Sequence, residues 1–185
     1  VRALETFQLP TTIAGILDSG VPTNIAIIAP DGPVLTYGSL KCQVNSLANQ
    51  LNSFGIGRGD RIAIVLPNGV ENIVSFLAVT ASGATAAPLN PAYTKEEFVF
   101  CLGDANAKAI ITSSAASDAI KEAIPASMIN VSVGLNADEK IHFTCDLPLG
   151  LPGTRECSTG DDVALVLHTS GTTSRPKRVP LSHRN

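Results

Sequence analysis

Apolar and polar positions alternate along this chain with two different periods. In residues 39–54, SLKCQVNSLANQLNSF, Leu40, Val44, Leu47, Ala48 and Leu51 recur at the three-to-four spacing that lines one face of a helix. Gly55 follows, where a left-handed terminator is expected. RIAIVLP, 61–67, is instead a short continuous apolar run closed by proline, and it predicts a buried strand. Asn68 and Glu71 then have the spacing of a capping box ahead of the helix VENIVSFLAVTA, which Gly83 ends.

The rhythm repeats. ATAAPLN predicts a strand, Thr94 and Glu97 a second capping box for a helix over 95–104, and AKAIITS another strand. A short helix over 117–123 and the strand MINVSVG complete the series. Strands alternating with helices imply βαβ units, hence an α/β fold with a mostly parallel sheet flanked by helices. Residues 134–160 mix Gly, Pro, Asp and Thr with isolated apolar residues and predict a long surface excursion. DDVALVLH, 161–168, restores one strand, taken as the last, and Ser182 to Asn185 reads as the start of a helix capped by Ser182.

Composition narrows the class. The chain is 44% hydrophobic and 16% charged, which suits a packed core and argues against disorder. No run approaches the length of a membrane span, and residues 1–30 lack the basic-then-apolar pattern of a secretory leader. Cys42, Cys101, Cys145 and Cys157 form no C-x-x-C pair and read as free thiols of a reducing compartment. With no initial Met and no stop-like feature at Asn185, the chain reads as a fragment.

Charge changes the picture at one place. Residues 1–174 hold nine Lys/Arg against sixteen Asp/Glu, whereas the last eleven hold Arg175, Lys177, Arg178 and Arg184 and no acid. A basic segment so confined on a chain of net charge −3 does not make the broad basic face that nucleic acid needs. It follows directly on HTSGTTS, 168–174, at the carboxyl end of the predicted strand, where open α/β sheets bind ligands. Thr169, Ser170, Thr172, Thr173 and Ser174 supply hydroxyls, and Gly171 permits close backbone approach. Arg175 and Lys177 add cationic donors for an anion, while Pro176 keeps the segment out of a helix. The plainer reading is a solvated basic loop. The spacing is not that of the G-x-x-x-x-G-K-[ST] loop, because no second glycine precedes Lys177.

HTSGTTSRPKRVPLSHRN resembles the phosphate-binding signature of the AMP-forming acyl-activating superfamily, usually TSGTTGxPKGVxLTHxN. GIGRGDRIAIVLPNGVENIVSFLAVTASGATAAPLNPAYTKEE, 55–97, and LTYGSL, 35–40, are similar to earlier segments of the same superfamily. The resemblance implies a partial N-terminal AMP-binding domain over 1–185, without the C-terminal domain. It also implies activation of a carboxylic acid by ATP and transfer of the acyl group to coenzyme A. Thr169, Ser170, Gly171, Thr172, Thr173, Ser174 and Arg175 would line the nucleotide phosphates, with Lys177 as the catalytic cation and Mg2+ bridging the same oxygens.

Ser174 and Arg178 depart from the superfamily pattern, which has glycine at both positions. Arg178 reads either as an extra phosphate contact or as a solvated side chain. HTSGTTSRPK followed by VPL looks most like the oxalate–CoA ligase group, implying a cytoplasmic or peroxisomal enzyme. The other readings are a carrier-protein-loading adenylation domain, a luciferase-like member, and a non-catalytic nucleotide-binding module. His168 reads as packing or as substrate-side lining, since nothing near it in sequence would orient it for acid–base work.

Overall fold

The computed structural model describes residues 10–30, 32–136, 140–145, 156–169 and 176–185. In chain order the elements are α1 (Ile13–Asp18), β1 (Ile25–Ile28), β2 (Val34–Thr36), α2 (Tyr37–Ser53) and β3 (Arg61–Val65). They continue with α3 (Val70–Ala81), β4 (Thr85–Pro88), α4 (Lys95–Ala105), β5 (Ala109–Ser113) and α5 (Asp118–Ala123). The last four are strands, β6 (Ile129–Leu135), β7 (Ile141–Cys145), β8 (Val163–Thr169) and β9 (Lys177–Ser182).

β1 and β2 form an antiparallel pair, and the other strands form a seven-stranded sheet in the order β7-β6-β5-β3-β4-β8-β9. The middle pairings, β6 with β5, β5 with β3, β3 with β4 and β4 with β8, are parallel. β7 and β9 are antiparallel returns at the two edges. The mostly parallel sheet expected from the alternating pattern is therefore its centre.

Strand alternation builds two cores. Ile62 and Ile64 of β3 point to the face covered by α2 and α3, with Val44, Leu47, Leu51 and Val74. Ala63 and Val65 of the same strand point to the opposite face and meet Phe98, Cys101 and Leu102 of α4 and Ile120 of α5. Leu47, Leu51, Ile62 and Phe98 have no exposed surface, and full burial of one such side chain stabilises by about 1.5–3 kcal/mol.

The local signals behave unequally. Thr94 and Glu97 form the predicted capping box, with Glu97 Oε2 accepting from Thr94 N–H at 2.7 Å and Thr94 Oγ1 from Glu97 N–H at 3.3 Å. Gly55 and Gly83 adopt φ +76° and +92° after α2 and α3. The predicted Asn68–Glu71 box does not form. Gly69 takes the cap position without a side-chain hydrogen bond, which moves the third helical position to Asn72. Asn72 Nδ2 turns back to donate to the carbonyls of Leu66 (3.2 Å) and Pro67 (3.3 Å).

Three expectations are corrected. The excursion predicted for 134–160 contains β7, in which Ile141 and Phe143 are buried and His142 and Thr144 alternate with them. β8 is not the last strand, because the chain returns as β9. The helix expected from Ser182 is also absent. Val179 and Leu181 lie half-buried in β9, and Ser182 N–H and Oγ bond Asn185 Oδ1 at 2.8 and 3.0 Å in a turn. Pro180 lies exposed on this edge strand, the setting in which a sheet tolerates proline. No helix among the described residues is long and apolar enough to cross a membrane.

Candidate functional site

β8 pairs in parallel with β4 through Ala86 and Leu165, so its end at Thr169 lies with the carboxyl ends of the parallel strands. An anchored entry sets its position. Thr159 N–H donates to Asp162 Oδ2 at 2.7 Å, and Arg58 binds both carboxylate oxygens, Nε to Oδ2 at 3.1 Å and Nη2 to Oδ1 at 3.0 Å. Thr85 Oγ1 donates to Val163 O at 2.7 Å. The Thr159 amide and then the Arg58 guanidinium hold the Asp162 carboxyl down at about 2, and Asp162 in turn raises Arg58.

At the far end of β8 the register places Thr169 opposite Lys177 and His168 opposite Arg178. Two residues eight positions apart in sequence thus share one rung, with Thr169 Oγ1 3.5 Å from the Lys177 carbonyl. Both are exposed, and Lys177 pairs with no carboxylate among the described residues. Ser170, Gly171, Thr172, Thr173, Ser174 and Arg175, the remaining predicted phosphate contacts, lie outside the described residues.

The next rung meets a residue that sequence reasoning missed. His168, its side chain 1% exposed, has Nε2 3.0 Å from Asp104 Oδ2 at the end of α4. A carboxylate only accepts, so the hydrogen sits on Nε2, and Nδ1 is buried with no partner among the described residues. Arg178 donates through Nη1 to the Asp104 carbonyl and has Nε 3.8 Å from Oδ2. Arg178, half-exposed, thus has a partner that neither expectation named, the end of α4. A signal for Asp104 did exist. An acid in the last turn of a helix opposes the helix dipole and wants cations nearby.

His183 stands apart from this end of the sheet. Its Nδ1 accepts from Ile13 N–H at 3.2 Å, its backbone N–H donates to Asp162 O at 3.0 Å, and burial lowers its pKa. Cys101 is buried, Cys145 half-buried, and Cys42 and Cys157 exposed, all as free thiols.

A family model described as AMP-binding enzyme matches residues 19–185. The chain belongs to the AMP-binding enzyme family. A probable CoA ligase of Humulus lupulus is 41% identical over 82% of this chain and 30% of its own length. The oxalate–CoA ligase of Arabidopsis thaliana is 38% identical over 90% of the chain and 35% of its own. Among solved structures, ATP-bound MatB from Rhodopseudomonas palustris superposes with a TM-score of 0.73 at 27% identity, covering 95% of this chain and 35% of that one. The chain thus spans about a third of the length of the relatives it matches. The shared architecture is that of the N-terminal part of AMP-binding enzymes, as the alternating pattern and the two quoted motifs implied.

Proposed function

We propose that the full-length protein activates a carboxylic acid with MgATP and passes the acyl group to the thiol of coenzyme A, with this chain as the phosphate-binding part. The observation that carries the reading is the Thr169–Lys177 rung at the carboxyl end of the parallel sheet, where an exposed ammonium has no carboxylate partner among the described residues. Its support from outside is the family and the relatives named for CoA ligation.

A carboxylate is a poor electrophile. Attack of its oxygen on the α-phosphorus of ATP breaks the bond to pyrophosphate and converts the carboxyl to an acyl-adenylate. Thiol sulfur then attacks the acyl carbon, and AMP leaves. Negative charge accumulates on the departing pyrophosphate, and Lys177 is the group proposed to neutralise it. The Thr169 hydroxyl, on the same rung, is proposed as a hydrogen-bond donor to the same phosphates. Ser170 to Arg175 complete the proposed contact set. Oxalate is the acid we favour, on the HTSGTTSRPK variant of the motif and the Arabidopsis relative, and this choice carries with it a cytoplasmic or peroxisomal setting.

ATP–pyrophosphate exchange tests this in the full-length protein against oxalate, medium-chain fatty acids and coumarate-like aromatic acids. Oxalate-stimulated exchange is expected, followed by oxalyl transfer to coenzyme A. Exchange with a different acid would remove oxalate and keep adenylation, and failure to acylate coenzyme A after exchange would favour a carrier-protein acceptor. Lys177→Ala should lower exchange about a hundredfold with the fold intact, the size typical of losing one charge-stabilising group. Undiminished exchange would withdraw the role given to Lys177.

A further inference from the structure

Residues opposite one another on an antiparallel pair project to the same face, and successive residues to opposite faces. The rung His168–Arg178 and the rung Thr169–Lys177 are consecutive, so they serve different sides of the sheet. Val166, two residues before His168, packs with Ala87 and Ala105 on the α4 side. His168 and Arg178 project to that same side, where Asp104 meets both. Thr169 and Lys177 are left to the other face.

We propose that Asp104 is a positioning residue for nucleotide binding, fastening the hairpin stem to α4 so that the rung above it holds Lys177 and Thr169 at a fixed twist. Three elements converge on this one residue. The carboxylate takes the buried Nε2 of His168 on β8 and faces Nε of Arg178 on β9, while the backbone carbonyl takes Nη1 of Arg178. Arg178 also supplies positive charge where the carbonyls ending α4 are unpartnered within the helix. A buried imidazole bonded to a carboxylate has little rotational freedom, so β8 cannot pivot about its last rung without breaking that bond. Twist at the rung sets where a flexible lysine stem begins. A fault here would therefore show in the encounter with phosphate rather than in the acid site. The inference rests on the phosphate-binding reading above.

The test uses the full-length protein and two readouts, the MgATP dissociation constant by titration calorimetry and the kinetics of pyrophosphate exchange. Asp104→Ala should raise the MgATP Kd and the KM for ATP together by about tenfold, with KM for the acid within about twofold, because the lost contacts act on one substrate. Asp104→Asn keeps an acceptor for His168 and the backbone carbonyl for Arg178, and should recover most of that loss. Arg178→Gly, removing one arm at a half-exposed position, should cost about threefold in the same two quantities. It also serves if Asp104→Ala fails to fold. In a double-mutant cycle, His168→Gln and Asp104→Ala should combine to less than the product of their separate effects.

An Asp104→Ala protein that folds and binds MgATP like the wild type would overturn the proposal. So would an equal rise in the KM values for ATP and acid, which marks general loosening. Wild-type protein that binds MgATP but exchanges pyrophosphate with no acid would sink the adenylating reading alone, and the Kd comparison would still decide the clamp. Wild-type protein that binds no MgATP would overturn both.

Discussion

The two edges of the seven-stranded sheet are both antiparallel returns, and they are finished in opposite ways. At β7, Ile141 and Phe143 are buried, and their outward N–H groups are taken by side chains of α2. Gln43 Oε1 accepts from Ile141 at 3.2 Å and Gln50 Oε1 from Phe143 at 3.1 Å. Two glutamines seven apart lie on one face of the helix, so a single element satisfies alternate amides of the strand. At β9 the exposed residues are Lys177, Arg178 and Pro180, and the strand is tied to the protein through β8 and through Asp104. The comparison separates two ways of managing a sheet edge. One is covered and serves stability. The other carries exposed polar residues, with Lys177 beside Thr169 at the carboxyl end of the parallel strands.

Truncation tests that contrast most strongly. Phe143→Ala in β7 should cost about 3–5 kcal/mol of stability by chemical denaturation, whereas Val179→Ala in β9 should cost under about 1.5 kcal/mol. Equal losses would mean that β9 is as deeply built in as β7. Next in size, Gln43→Leu leaves the buried Ile141 amide without its acceptor and should cost about 1–3 kcal/mol, with no change in MgATP affinity. A change in that affinity would connect the two edges.

The smallest expected effects are in pH, and they concern only the open side. Asp162, which anchors the entry to β8, is held near 2 instead of its ordinary 3.8. Below its ordinary value the unfolded chain takes up a proton that the folded one refuses, so the contribution is complete above about pH 4 and fades as pH falls toward 2. Asp162→Asn should flatten that part of an acid titration followed by circular dichroism. His183 is displaced in the same direction by burial, from 6.5 downward, so its neutral form favours the fold. Its contribution is complete above about pH 6.5 and declines beneath it, and His183→Gln should remove that slope from the thermal midpoints.

The parallel centre was legible because its signals are local. β3, β4 and β5 are apolar runs, and Thr94 and Glu97 lie within one turn of each other. The edges were not legible, because their few apolar residues are interspersed with His142, Thr144 and Pro180 and form no continuous run. Their identity as strands comes from a neighbour rather than from their own composition. The shifted start of α3 has a similar origin, since Gly69 takes the cap and leaves Asn68 one position too early. For the site, the motif marked Thr169 and Lys177, but only strand register put them on one rung. Asp104 is 64 positions from His168, and no local pattern joins them. A histidine judged to lack an orienting partner has one supplied by the topology.

The order of the strands also has a consequence in time. β4 lies between β3 and β8, yet its bond to β8, from Thr85 to Val163, spans 78 positions of chain. During synthesis β3, β4 and β5 can assemble as soon as they emerge, but β4 then presents Ala86 and Ala87, fully buried in the finished protein, along an unpaired edge. That edge closes only when β8 leaves the ribosome. The strand that ends at Thr169 is thus also the one that covers the exposed edge of β4.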